Sequence, residues 1–114
     1  MRKVQNINNT EETIDIIAKQ ISQGYKPKKI ILFGSYAKGN AREDSDIDML
    51  IIKDTEKQRG QRWMEVRRLV RDINRRVPFE PLIYTTDEIK KRTEMGDFFI
   101  NEILDNGRVL YEQT

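Results

Sequence analysis

Neither cysteine nor histidine occurs in these 114 residues. The first absence removes disulfides and thiolate metal sites. The second removes Ser-His-Asp catalysis, Cys-His catalysis and ordinary zinc sites. Any metal must then be a hard cation held by oxygen atoms. No apolar run approaches the roughly 18 residues of a membrane span. The opening MRKVQNINNTEE lacks the apolar core of a signal peptide, so the expected compartment is the cytoplasm. Repeats, low-complexity tracts and linkers are missing too. The net charge of +2 is too small to imply nucleic acid by itself.

What is present suits one small domain over residues 1–114, with 35% charged and 37% hydrophobic residues and a modest core. Helical and strand patterns alternate. Asn9 with Glu12 has capping-box spacing, and Ile14, Ile17, Ala18 and Ile21 follow on one helix face up to a stop at Gly24. KKIILF (28–33) and IDMLII (47–52) are apolar enough for strands, the second covered on both faces. The segment 61–77 is expected to be one helix, with Trp63, Val66, Val70, Ile73 and Val77 as its core stripe and Leu69 beside it. LIYT (82–85) is the third expected strand, and Thr86 or Asp87 is expected to cap a last helix through about Ile103. FFINEIL (98–104) is apolar on more than one helix face, as core or as cover for a partner, and GRVLYE (107–112) reads as a final strand or packed tail.

The connection between the first two strands concentrates the chemistry. The first strand ends at Gly34-Ser35 and the second begins at Asp46-Ile47-Asp48. If those ends meet, the strands are antiparallel. A helical crossover then makes the third strand parallel to the second and brings Glu80 to the same end of the sheet. Asp46 and Asp48, one residue apart, share a face with roughly 6.6 Å between their backbone positions. Two anions so placed repel unless a divalent cation lies between them, although Asp-x-Asp alone is common at a solvated strand mouth. A glycine at a strand end lets N–H groups approach an anion, and the Ser35 hydroxyl can donate to a phosphate oxygen. Spacing excludes two rivals. Asn40-Ala41 stands where a P-loop needs Lys-Ser/Thr, and Met49 and Thr55 occupy the glycine and glutamate positions of an EF-hand loop begun at Asp44.

The whole motif, GSYAKGNAREDSDIDMLII, resembles the signature of the minimal nucleotidyltransferases of the DNA polymerase β-like superfamily. Gly34, Ser35, Gly39, Ser45, Asp46 and Asp48 carry the match. The resemblance implies an α/β (α+β) fold with a small mixed sheet flanked by helices. It implies transfer of a nucleoside monophosphate, AMP from ATP, to a hydroxyl, with a pair of Mg²⁺ ions. Gly34 and Ser35 would hold the triphosphate, helped by Lys38, Arg42 and Ser45, and Asp46 and Asp48 would bind metal. Glu80 corresponds to the third carboxylate, usually an aspartate. The extra methylene and the following Pro81 are departures that would slow turnover. Stand-alone members of this size resemble the antitoxin of a pair whose toxin is a HEPN-family protein, which makes a protein partner and homo- or hetero-oligomers the expectation.

A non-catalytic interaction protein that neutralises its partner by binding remains the alternative. The arginines at 62, 67, 68, 71, 75 and 76 could track phosphates, but a solvated helix face is the preferred reading, and no nucleic-acid partner is expected.

Overall fold

In the computed structural model, which describes residues 2–74 and 77–114 (the side chains of 2–9 and 74 excepted), a four-stranded sheet has the order β3-β2-β1-β4. β1 (Lys29–Phe33) lies antiparallel to β2 (Ile47–Ile52) and to β4 (Arg108–Glu112), and β2 lies parallel to β3 (Phe79–Tyr84). The expected relative orientation of the first three strands is observed, and the final segment is a strand from Arg108. No helix among the described residues is long and apolar enough to cross a membrane.

Alternation along the strands divides the core in two. Ile30, Leu32, Ile47, Met49, Ile51, Phe79 and Ile83 face α1 (Arg2–Tyr25) and α3 (Arg59–Leu69), meeting Ile14, Ile17, Ile21, Val66 and Val70. On the other face Ile31, Leu50 and Tyr84 meet Ile100 and Ile103 of α6 (Phe98–Asn106). β2 contributes to both clusters, which is why it reads as an unbroken apolar run.

Several element boundaries differ from expectation. α1 begins at Arg2, so Asn9 lies inside the helix and does not cap it. α1 also runs one residue past Gly24, and Lys26 at φ 54 turns the chain away. The segment expected as one helix is α3 plus the short α4 (Arg71–Asn74), divided at Val70, whose φ of −120 leaves the helical region. Trp63 is not core: it is 39% exposed, and the buried line runs Arg62-Val66-Val70 instead. Arg75 and Arg76 lie outside the described residues. β3 starts at Phe79 and includes Pro81, which an edge strand tolerates because half its backbone groups face away from the sheet.

The last expected helix is also two. α5 (Thr86–Glu94) is capped by Thr85, one residue earlier than expected, in a capping box with Glu88. Gly96 at φ 77 breaks it, and Asp97 caps α6 by accepting from the Ile100 N–H. Within FFINEIL, Ile100 and Ile103 are buried while Phe98 and Phe99 are exposed.

Candidate functional site

Strand register builds the site. Phe33 stands opposite Asp48 in the antiparallel pair, and Asp48 stands opposite Glu80 in the parallel pair. Residues opposite one another share a face, so Asp48 and Glu80 both lie on the side of the sheet that carries Leu50 and Leu82. Asp46 lies just before β2, two residues from Asp48, and is exposed. The structure therefore brings the three expected carboxylates to one edge. Their charges act together: burial first, then the Asp46 and Glu80 carboxylates, push the Asp48 pKa up to about 6.

Gly34 closes the opposite side. Its φ of 77 and ψ of −156 belong to a region that is essentially glycine's alone. A Cβ there would stand 2.5 Å from Asp48 Oδ2, so side-chain absence at 34 is what lets the turn lie against the aspartate. The chain then enters the single turn α2 (Ser35–Lys38), where the Ala37 and Lys38 N–H groups both donate to the Gly34 carbonyl. Ser35 heads this turn, half-buried, while Lys38 and Arg42 are exposed on the same connection. Ser45 has a visible local task. Its hydroxyl accepts from the Arg42 N–H at 2.8 Å, and its own N–H donates to the Arg42 carbonyl at 3.0 Å, folding the loop just before Asp46.

The donor set suits a hard divalent cation, because all three groups are carboxylates and their mutual repulsion is relieved by positive charge. Among the described residues no three acidic side chains are gathered closely enough to enclose an ion. One oxygen of Glu80 is engaged: Oε2 accepts from Trp63 Nε1 at 3.2 Å.

Two neighbours escaped the sequence reading. Helical spacing places Trp63 in the core, and the one local hint against that is the charged company it keeps along α3. Tyr36 in α2 packs against the core, and its phenol pKa is raised by burial and then by the Asp44 and Asp46 carboxylates. Only its place one residue after the Gly-Ser turn could have pointed to it.

The arginine-rich helix is largely built into the fold. Arg62 is 6% exposed, pairs with Glu88 at 2.8 Å, and donates to the Lys57 and Ile83 carbonyls. Arg67 donates to the Phe79 carbonyl at 2.8 Å and lies over the Trp63 ring. Of the described arginines of the expected helix, Arg68 and Arg71 are the exposed ones.

Comparison with known proteins gives the family and the fold. The family model described as polymerase beta, nucleotidyltransferase, matches residues 5–114. A candidate protein adenylyltransferase of Methanocaldococcus jannaschii is 46% identical over 50 residues, which is 42% of this chain and 50% of that protein. A second one from the same organism is 35% identical over 49 residues, covering 43% of this chain and 57% of that protein. The chain thus spans about half the length of the curated relatives it matches. A crystal structure of a toxin–antitoxin with AMP-PNP superposes with a TM-score of 0.56 at 20% identity, covering 90% of this chain and 74% of that one. At that identity the likeness speaks for the fold.

Proposed function

The chain belongs to the polymerase β nucleotidyltransferase family, and from that premise we propose that it transfers AMP from ATP to a hydroxyl of a protein partner. The observation that carries the proposal is the single edge on which Asp46, Asp48 and Glu80 stand beside the Gly34 turn. Asp46 and Asp48 would hold Mg²⁺ with the triphosphate, and Glu80 would complete the set. When bound, the cations neutralise phosphate charge and make the acceptor hydroxyl more acidic.

The chain's own residues do the rest. The Gly34-Ser35 turn presents N–H groups and the Ser35 hydroxyl to phosphate oxygens, and Lys38 and Arg42 add positive charge along the loop. Ser45 keeps the loop folded so that Asp46 meets Asp48. Glu80 orients the acceptor hydroxyl for in-line attack: as the hydroxyl proton passes to a carboxylate of this edge, an O–P bond forms at the α-phosphorus, the bond from that phosphorus to the bridging oxygen breaks, and pyrophosphate leaves.

The protein partner is supported by relatives named as protein adenylyltransferases and by the toxin–antitoxin neighbour. Its finest form is an antitoxin that modifies a HEPN-family toxin in the cytoplasm. A second reading, a binding-only antitoxin, is favoured by one observation: Glu80, followed by Pro81, stands where the family's usual residue is aspartate.

Thermal melting in ATP with and without Mg²⁺ tests the premise without knowledge of the acceptor. Ligand at 100 times its Kd stabilises by about 2.7 kcal/mol. A shift requiring both Mg²⁺ and the aspartates, and so absent from the Asp46→Asn/Asp48→Asn double variant, is expected. Equal shifts in the two proteins would overturn the proposal. AMP transfer to the partner, measured in a single turnover, then separates catalysis from binding alone.

A further inference from the structure

We propose that Trp63 is a positioning residue for Glu80, its indole N–H fixing one carboxylate oxygen so that the other serves the cation edge shared with Asp46 and Asp48. The inference rests on the nucleotidyltransferase reading and deepens it.

Glutamate in place of aspartate adds a methylene and a rotatable bond at an exposed position, and an unrestrained side chain there would have to be ordered each time an ion bound. Ordering a glutamate side chain costs rotamer freedom. The structure already supplies a restraint, since Trp63 Nε1 donates to Glu80 Oε2 at 3.2 Å. The indole is itself held. The Arg67 guanidinium lies 4.6 Å from the centre of its ring, and Arg67 Nη1 donates to the carbonyl of Phe79, the residue before Glu80. Glu80, Trp63, Arg67 and Phe79 thus form a closed bracket between α3 and the head of β3.

The chemistry of the donor matters. An indole N–H donates and cannot accept, so it neither binds a cation nor takes a proton from the carboxylate. It is also neutral, so Glu80 keeps its full negative charge for an ion. A lysine or arginine at 63 would hold the carboxylate and cancel that charge. This accounts for the chain's single tryptophan standing 39% exposed on a helix whose buried line runs through its neighbour Arg62.

Because Trp63 is the only tryptophan, the emission of the full chain reports on this bracket directly. The test titrates Mg²⁺ at fixed non-hydrolysable ATP analogue, reading both emission and melting temperature. The wild type is expected to show a saturable emission change that Glu80→Gln abolishes. Trp63→Phe is expected to need about tenfold more Mg²⁺ for the same stabilisation, the loss typical of an outer-shell partner. Trp63→His, which keeps a ring N–H, recovers most of it at pH 8, and adding Trp63→Phe to Glu80→Gln costs nothing more. An unchanged Mg²⁺ midpoint in Trp63→Phe, with a raised one in Glu80→Gln, would overturn the proposal. Should Trp63→Phe fail to fold, an emission change as large in Glu80→Gln as in the wild type overturns it instead. A wild type without Mg²⁺-dependent nucleotide binding would sink the nucleotidyltransferase reading itself, a different and recognisable failure.

Discussion

Gly34 and Asp48 approach so closely that a Cβ on Gly34 would lie 2.5 Å from Asp48 Oδ2. The glycine therefore serves two ends, a backbone conformation and a space. Gly39 separates them, since its φ is 82 but nothing stands within 4 Å of its Cβ position.

Gly39→Ala should accordingly lose about 1 kcal/mol, the cost of a strained φ alone. Gly34→Ala should lose more, roughly 2–4 kcal/mol, because Asp48 must also move. Urea denaturation of the two variants measures the difference. Only Gly34→Ala should lose Mg²⁺-dependent stabilisation by ATP, and equal losses in both variants would refute a special role for the close approach.

The second prediction concerns pH in the metal-free protein. Asp48 titrates near 6 when folded and near 4 when unfolded, so between those values the folded chain binds more protons. Its contribution to stability is therefore greatest below about pH 4 and declines as pH rises to about 6. Asp48 is part-exposed, so solvent screening reduces the effect to about 1 kcal/mol. Asp54 acts in the opposite sense in a lower window: its hydrogen bonds with Lys28 and Thr86 hold its pKa near 2, and the stability it adds is lost as pH falls from about 4 to 2. Melting temperatures in EDTA should fall from pH 4 to 6 in the wild type and stay flatter in Asp48→Asn. At pH 7 that variant should melt higher than the wild type without metal and gain nothing from Mg²⁺ and ATP. A slope unchanged by the substitution would remove Asp48 as its source.

These effects were legible in the sequence to an uneven degree. Gly34, Ser35, Asp46 and Asp48 could be placed because their chemistry is local: a strand end, a turn and a strand head within fifteen residues. Glu80 could be placed only through topology, and the parallel register opposite Asp48 agrees with that placement. Arg62 could not, because the carboxylate that makes its burial tolerable is Glu88, 26 residues further on. Local spacing favoured Trp63 for the core, and no local signal reveals that its N–H has a partner on β3. The break at Gly96 was written in the sequence as Gly-Asp. A glycine inside a helical pattern is tolerated often enough that only the positive φ decides the matter.

Capping gives a third prediction with a built-in control. The Thr85 hydroxyl accepts from the Glu88 N–H at 3.1 Å, and the Glu88 carboxylate accepts from the Thr85 N–H at 2.8 Å. Thr85→Ala should destabilise by about 1 kcal/mol, whereas Thr86→Ala, which loses a 3.3 Å exposed bond from Lys28 and an exposed side-chain bond with Asp54, should stay within about 0.5 kcal/mol. Chemical denaturation of both variants checks this, and a larger loss in Thr86→Ala would put the cap at the residue the sequence first pointed to.

The last prediction decides what the arginines of α3 are for. If Arg62 tracked phosphates, its substitution would weaken ligand binding and leave the fold alone. Its environment says the reverse. Arg62 is buried, and removing it strands the Lys57 and Ile83 carbonyls and deprives Glu88 of its partner. Breaking a fully buried pair costs about 3–5 kcal/mol, and the partial exposure of Glu88 brings this case below that range. Arg62→Met should therefore lose about 2–3 kcal/mol, while the exposed Arg68→Ala and Arg71→Ala should change stability by less than about 0.5 kcal/mol. Glu88→Gln should fall between them, because the amide still accepts from the guanidinium. Salt titration of DNA binding supplies the complementary readout. A phosphate-tracking helix would show affinity falling steeply with salt and a smaller slope in Arg68→Ala and Arg71→Ala. A fold-bearing helix shows large stability changes at 62 and no such slope, and that is the outcome the geometry requires.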